Sequence, residues 1–363
     1  MNGYILFLGS GSKHGMPNLE HVFKNIENAN RGDSPYCEIC KNTIQNKDKN
    51  VRNPFSVIVK NPAENTSVCK DTFLFEMGSS FRASMLEYAI PANINRVDSI
   101  FCMGSNEQSF GGVDEVREVQ RYERPSNSEG VVFYEPKIRV PMYLTSSAAL
   151  VLNDWYRYII EYSLRNDLKS RTKVGCVQLN ILDPRNSPNS LSIDSLDALD
   201  DFINSNKDPD TTDSAIKNLE FKPITINYSG EIKITCLFFL DGDNKICTGY
   251  LIEYGICKRL ICIIPTYDTI PKETLEFLKT VPLINILIFP IVPNDSFVIN
   301  PESVTNSINF CSKMTNAKSV YFYNINCNHS HELIQQFINE NTTQNSHIQF
   351  HLSFDSQIVP IHP

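Results

Sequence analysis

The sequence predicts an α/β protein in which sheets are covered by helices in layers. Strand-like apolar runs come first, at residues 4–8, 55–59, 72–75 and 97–103. Past residue 230 such runs alternate with helix-like segments. The run at 284–289 is almost continuous Ile, Leu and Phe, as a strand covered on both faces requires. Hydrophobic content of 41% and charged content of 20% are ordinary for a globular chain, and 363 residues suit one large α/β domain or two ordinary ones.

The elements follow in order. Residues 4–8 form a first strand, ended by the turn cluster Gly9-Ser10-Gly11-Ser12. Those glycines serve a tight turn; the further glycine and Lys-Ser/Thr of a phosphate loop are missing. The polar, Asn-rich residues 24–50 read as a loop. Strands at 55–59 and 72–75 flank the turn-like 61–65. Residues 81–89 have helical spacing and Pro91 stops them. A buried strand follows at 97–103, then helical patterns at 113–120 and 144–164. Residues 183–213 are rich in Asp, Ser, Asn and Pro and predict a surface excursion, partly disordered. Strands resume at 233–240, 249–254 and 260–265, followed by a helix at 272–278, the strand 284–289, a helix at 301–314, a strand at 319–323 and a last helix at 331–339.

Net charge is -8 and the isoelectric point near 5.5. An acidic chain without a basic stripe argues against a nucleic-acid footprint. The longest apolar run, 281–292, is broken by Pro282, Asn285 and Pro290, so no membrane span is expected. Eleven cysteines, an odd number, with no secretory leader pattern suggest reduced thiols. The expected compartment is the cytoplasm, with the nucleus left open.

The histidines decide what metal chemistry to expect. There are seven, at 14, 21, 329, 331, 347, 351 and 362, and none between His21 and His329. A hydrolytic two-metal site normally takes several imidazoles. The central chain cannot supply them. Cys37-Glu38-Ile39-Cys40 has metal-ligand spacing, and both thiolates can reach one tetrahedral zinc. His21 upstream and either His329 or His331 downstream can complete four ligands. The other reading is two free thiols in a loop.

Several motifs occur in a shared order. Leu8-Gly9-Ser10-Gly11-Ser12-Lys13-His14-Gly15-Met16-Pro17 resembles the L-G-[TS]-G-x-S-x-G-x-P opening of metallo-β-lactamase-fold proteins. Cys37–Cys40, Arg52-Asn53-Pro54-Phe55-Ser56-Val57-Ile58-Val59 and Phe75-Glu76-Met77-Gly78-Ser79-Ser80-Phe81-Arg82 follow that fold's landmarks. They are similar to the branch of cyclic-phosphodiesterase-like enzymes of phosphonate breakdown and their eukaryotic relatives. The resemblance implies a four-layer αββα sandwich as a single domain over 1–363. Residues 121–228 match only loosely and are read as an insertion.

Departures from that pattern carry the functional expectation. Active members have H-x-H-x-D-[HA] after the strand at 97–103; here Gly104, Asn106, Gln108 and Ser109 occupy those places. The later ligand positions fall on Asp241, Thr266 and, at or near it, Cys327. The glycine, amide and hydroxyl side chains among them cannot supply the deprotonated first shell, so no catalytic di-metal site is expected. By resemblance a structural zinc is expected on His21, Cys37, Cys40 and His331, with His21 standing where an earlier cysteine would be.

Three functional readings follow. The first is a non-catalytic scaffold or ligand- or partner-binding protein that has lost the hydrolase site, with a protein partner on the 121–228 insertion. The second is a phosphodiesterase-type hydrolase with an altered, carboxylate-rich site of Glu76, Asp114, Asp241, Asp243 and Asp268 holding a hard cation. The third is a nucleotide or phosphate sensor in which Arg82 and Arg117 supply charge.

Overall fold

The computed structural model describes the chain apart from residues 1–2, 47, 62–71, 165–169, 185–189, 207–218, 230–231, 256–257, 292–300, 343–346 and 362–363. His362 thus lies outside the described residues.

Two large sheets dominate. The first orders its strands β17-β1-β2-β3-β4-β7-β8-β9. These are β1 (Tyr4–Gly9), β2 (Ser56–Lys60), β3 (Thr72–Phe75), β4 (Ser99–Phe101), β7 (Val140–Leu144), β8 (Val177–Ile181), β9 (Leu191–Ile193) and β17 (Ile358–Pro360). The second orders β10 (Ile224–Ser229), β11 (Ile232–Leu240), β12 (Ile246–Tyr254), β13 (Arg259–Ile263), β14 (Ile284–Pro290), β15 (Ala317–Tyr323) and β16 (Gln349–Leu352). A separate two-strand ladder joins β5 (Tyr122–Glu123) to β6 (Glu135–Pro136).

Alternation along each strand makes the layers. In β1, Ile5 and Phe7 join Phe75, Phe101, Phe238, Tyr250 and Ile288 in the core between the sheets. Leu6 and Leu8 point the other way, into a core shared with the helices on that sheet's outer face. Leu237, Phe239 and Leu287 do the same for the second sheet. Side chains on a pleated strand alternate faces, so three apolar layers between four structural ones follow directly. The αββα sandwich expected from the sequence is what the chain builds.

The helices are α1 (Leu19–Arg31), α2 (Glu38–Gln45), α3 (Phe81–Ser84) running into a π turn (Met85–Ala89), α4 (Glu107–Phe110), α5 (Val116–Val119), α6 (Ser146–Ser163), α7 (Leu196–Asn206), α8 (Lys272–Thr280), α9 (Pro301–Met314) and α10 (His331–Asn341). Three expectations need correction. Residues 24–50 are not a loop: they hold most of α1 and all of α2. Asn18 caps α1 by accepting from Glu20 N and His21 N, and Gly32, at φ 79°, closes it in the left-handed conformation.

Residues 191–206 form β9 and α7, where an excursion was expected. Leu199, Phe202 and Ile203 are buried at helical spacing, and that stripe outweighs the Asp- and Ser-rich composition. Residues 185–189 and 207–213 of the same expected excursion lie outside the described residues. Finally, the 121–228 segment is largely built into the first sheet. Its β7 pairs in parallel with β4 and β8, and α6 buries Ile159 and Ile160 against the sheet's outer face.

Phe101 sits at the centre of the inter-sheet layer. Its ring stacks on Tyr143 at 4.8 Å and on Phe75 at 5.0 Å and meets Tyr250 edge-on at 5.1 Å. It is fully buried. Phe101→Ala should lower unfolding free energy by about 3–5 kcal/mol, because a cavity is left among rigid rings. Urea denaturation checks this; a loss under about 1 kcal/mol would mean that the layer repacks freely.

Candidate functional site

One end of the sandwich is lined by loops leaving β3, β4, β11 and β13. Here Gly104, Asn106, Gln108, Asp241 and Thr266 come together, as their positions in the motif order predict. Glu76, Met103, Cys247 and Pro265 add to the wall, and Phe55 and Tyr323, stacked at 3.7 Å, close the floor. The cavity measures about 40 Å³, room for roughly three waters and far less than a drug-sized ligand needs.

Glu76 organises this end. It follows β3 with φ 64°, a left-handed backbone that is uncommon for a residue with a side chain. Its carboxylate accepts from Met103 N and from Ser109 Oγ at 2.9 Å. Ser109 Oγ accepts in turn from Gly104 N at 3.1 Å, and the Glu76 carbonyl accepts from Ser56 Oγ at 2.8 Å. The loop after β4 is thereby folded back onto the loop after β3. Gly112 permits it: a Cβ there would lie 2.5 Å from Gly78 O.

Burial pushes the Glu76 carboxyl up from 4.5 to about 7, against the opposing pull of those donors. Asp241 is occupied too, accepting from Asp243 N at 3.0 Å and Lys245 N at 2.8 Å in its own turn. Asn106 caps α4 by accepting from Gln108 N at 3.0 Å.

The remaining candidate groups do not converge there. Asp114 pairs with Arg117 at 2.7 Å and accepts from Tyr158. Arg82 pairs with Glu115 at 3.1 Å. Asp243 sits exposed beside Lys245, and Asp268 is exposed past β13. Cys327, read from the sequence as a cleft position, turns away: it is Tyr323, at the end of β15, that reaches the cleft.

Cys327 belongs to a second constellation. His21 on α1, Cys37 capping α2, Cys40 on α2 and Cys327 before α10 bring one ligand atom each within 4.8 Å of all the others. His21 Nδ1 lies 3.0 Å from Cys327 Sγ and 3.7 Å from Cys40 Sγ. Tetrahedral zinc with bonds of about 2.1–2.3 Å sets its ligands roughly 3.5–3.8 Å apart, so a three-sulfur, one-nitrogen set of this size can hold a metal ion. Asn25 braces the site by bonding Cys37 N at 2.8 Å and Cys37 O at 2.9 Å. Hydrogen bonds from Cys327, then from Asn18 N and His21, lower the Cys40 thiol towards the thiolate form that a metal takes.

The sequence reading named His331 as the fourth ligand; it is not in this cluster, and neither is His329. His331 Nδ1 faces Arg52 Nη2 at 3.0 Å, and its backbone N donates to Asn50 Oδ1 at 2.7 Å. Arg52 is fully buried and also donates to Ser353 O at 3.1 Å. Burial, with the Arg52 charge adding to it, lowers His331 to about 4 and keeps the ring neutral, its lone pair aimed at the guanidinium. This network went unread in the sequence; a basic residue before a strand gives no sign of a buried partner 279 positions away.

Glu76 makes a pH prediction. A carboxyl whose folded value is raised keeps its proton in the folded state where the unfolded chain has lost it. Its contribution is whole below about 4.5 and is lost as pH rises through about 7. Glu76→Gln, similar in shape and always neutral, should remove up to about 3 kcal/mol of the fall in stability across that window. Denaturant unfolding at several pH values measures it, and parallel curves for the two proteins would refute it.

No family profile matches the chain, and no curated protein matches it in sequence. Solved structures do. A new diphosphatase from the PhnP family matches with a TM-score of 0.57 at 17% identity, covering 99% of this chain and 98% of that one. Zn(2+)-bound PqqB from Methylobacterium extorquens matches with 0.57 at 10%, covering 99% and 100%. The short form of human tRNase Z matches with 0.53 at 12%, again over 99% and 100%. At such identities the likeness speaks for architecture, and it agrees with the two facing sheets and their outer helices. The protein has the metallo-β-lactamase fold.

Proposed function

We propose that this is a non-catalytic metallo-β-lactamase-fold protein, a scaffold for a ligand or protein partner, carrying one structural zinc on His21, Cys37, Cys40 and Cys327. The observation that carries this reading is the donor set of the cleft. Among the described residues no imidazole lines it, and the two carboxylates that do, Glu76 and Asp241, already accept hydrogen bonds from protein donors. Glycine, amide and hydroxyl side chains do not hold a pair of hydrolytic cations. The residues present therefore do not fit the fold's two-metal group, and they support no hydrolytic step through it.

The Cys/His cluster fits a closed, structural zinc. Its four donors leave no open coordination position, whereas a catalytic zinc keeps one for water. When bound, the metal would tie α1 and α2 to the loop before α10. A partner would meet the outer surface of the 121–228 segment, around the half-exposed Trp155 and Tyr158 of α6. The carboxylate-rich hydrolase reading loses support because three of its five acids, Asp114, Asp243 and Asp268, do not line the cleft.

Elemental analysis of the purified protein should find one zinc per chain. Cys40→Ser should weaken zinc binding by more than the roughly 10–100-fold that loss of an outer-shell partner costs, and should lower the thermal midpoint. Phosphodiester hydrolysis with added Mn²⁺ or Mg²⁺ should stay at the buffer rate. Turnover abolished by Asp241→Ala would overturn the non-catalytic reading, and a zinc content unaffected by Cys40→Ser would overturn the metal assignment.

A further inference from the structure

Helix α6 is not regular. Tyr156, at φ −134° and ψ 31°, leaves the helical conformation and divides the helix in two. Around this kink three aromatic side chains rest on one neighbouring segment, residues 110–114. Trp155 meets the Phe110 ring edge-on at 5.6 Å. The Tyr156 hydroxyl donates to Gly111 O at 3.0 Å, and the Tyr158 hydroxyl donates to Asp114 Oδ1 at 2.7 Å. The rings are thus fixed from beneath. Trp155 and Tyr158 nevertheless remain 51 and 50% exposed. Half-exposed aromatic rings held in one place are the anchors on which protein contacts are built.

The charges around the rings say what fits them. Glu107 folds over Gly111, where an added Cβ would lie 2.7 Å from the Glu107 Cγ, and so stands beside the Tyr156 contact. Asp154 immediately precedes Trp155, and both acids are exposed. Among the described residues neither has an ion-pair partner, whereas the bases of this surface are committed. Arg82 is held by Glu115 at 3.1 Å, Arg117 by Asp114 at 2.7 Å and Arg157 by Glu161 at 2.6 Å. An aromatic face rimmed by uncompensated carboxylates takes a cation. Guanidinium suits it better than ammonium. It is planar, lies flat on a ring and keeps its N–H fork for a carboxylate at the edge. Nucleic acid and anionic lipid carry the wrong charge for this surface.

We propose that this face of α6 docks a basic, arginine-bearing segment of a partner protein. Guanidinium groups stack on Trp155 and Tyr158, and Glu107 and Asp154 hold them at the edge. The inference rests on the reading of the chain as a partner-binding protein, and it names that partner's chemistry.

Trp155 is the chain's one tryptophan, so tryptophan emission reports on this face alone. Titrating the full chain with hexa-arginine should change that emission saturably, and added salt should weaken the binding. The anisotropy of a labelled peptide then compares variants. Trp155→Leu, which keeps the apolar bulk and loses the ring, should weaken binding roughly fivefold, and Trp155→Phe should retain most of it. Glu107→Gln combined with Asp154→Asn should weaken it at least as much, with little change in the thermal midpoint. Hexa-lysine should bind roughly two- to fivefold more weakly than hexa-arginine. Neutralising two acids placed elsewhere, Asp33→Asn with Glu340→Gln, should leave the affinity unchanged. No saturable change, a Trp155→Leu protein that binds like the wild type, or an equal loss from the Asp33 and Glu340 pair overturns the proposal. Phosphodiester turnover with peptide binding intact would sink the non-catalytic reading alone. Absent peptide binding without turnover would sink this inference alone.

Discussion

The carboxylate of Glu76 is the interaction on which the open end of the sandwich depends. It lies wholly inside the protein, and two neighbours, the Met103 amide and the Ser109 hydroxyl, hold it there. Leaving a buried carboxylate unpaired costs several kcal/mol, so the loop after β4 must close over it. That closure sets Gly104, Asn106 and Gln108 along the cleft wall and leaves little room between them. A fold whose loops can present ligands to metals here uses the buried Glu76 to fasten those loops together.

Metal-binding groups gather instead at the other polar constellation. His21 and Cys327 are 306 residues apart in sequence, and joining them closes nearly the whole chain into a loop. Loop closure on this scale is entropically unfavourable, and a metal bound there would offset it by pinning α1 and α2, which bury little apolar surface of their own. Beside the cluster, Arg52 ties the same N-terminal segment to His331 and Ser353. Ser10 and Asn53 meet around Asp355, whose carboxylate accepts from both backbones at 2.8 and 2.6 Å. Three polar fastenings therefore hold the chain's beginning to its end.

Much of the architecture was legible because strands buried on two faces write themselves as apolar runs, as at 72–75, 233–240 and 284–289. The cleft was legible through position: loops after successive strands meet at one end of a sandwich, so Gly104, Asn106, Asp241 and Thr266 had to be neighbours. What stayed hidden has identifiable physics. Helix α1 points its apolar side outward, so its pattern signals no core. Strand β7 carries Pro141, which argues against a sheet interior. The choice between His331 and Cys327 as fourth ligand depends on a buried guanidinium far away in sequence, and no local spacing encodes it.

The central claim is that the metal sits among sulfurs rather than in the cleft. X-ray absorption at the zinc edge of the purified protein tests it most directly. The account predicts a shell of three sulfurs and one nitrogen, with zinc–sulfur distances of about 2.3 Å. A shell of nitrogen and oxygen alone, with a second metal at about 3.5–4 Å, would contradict it.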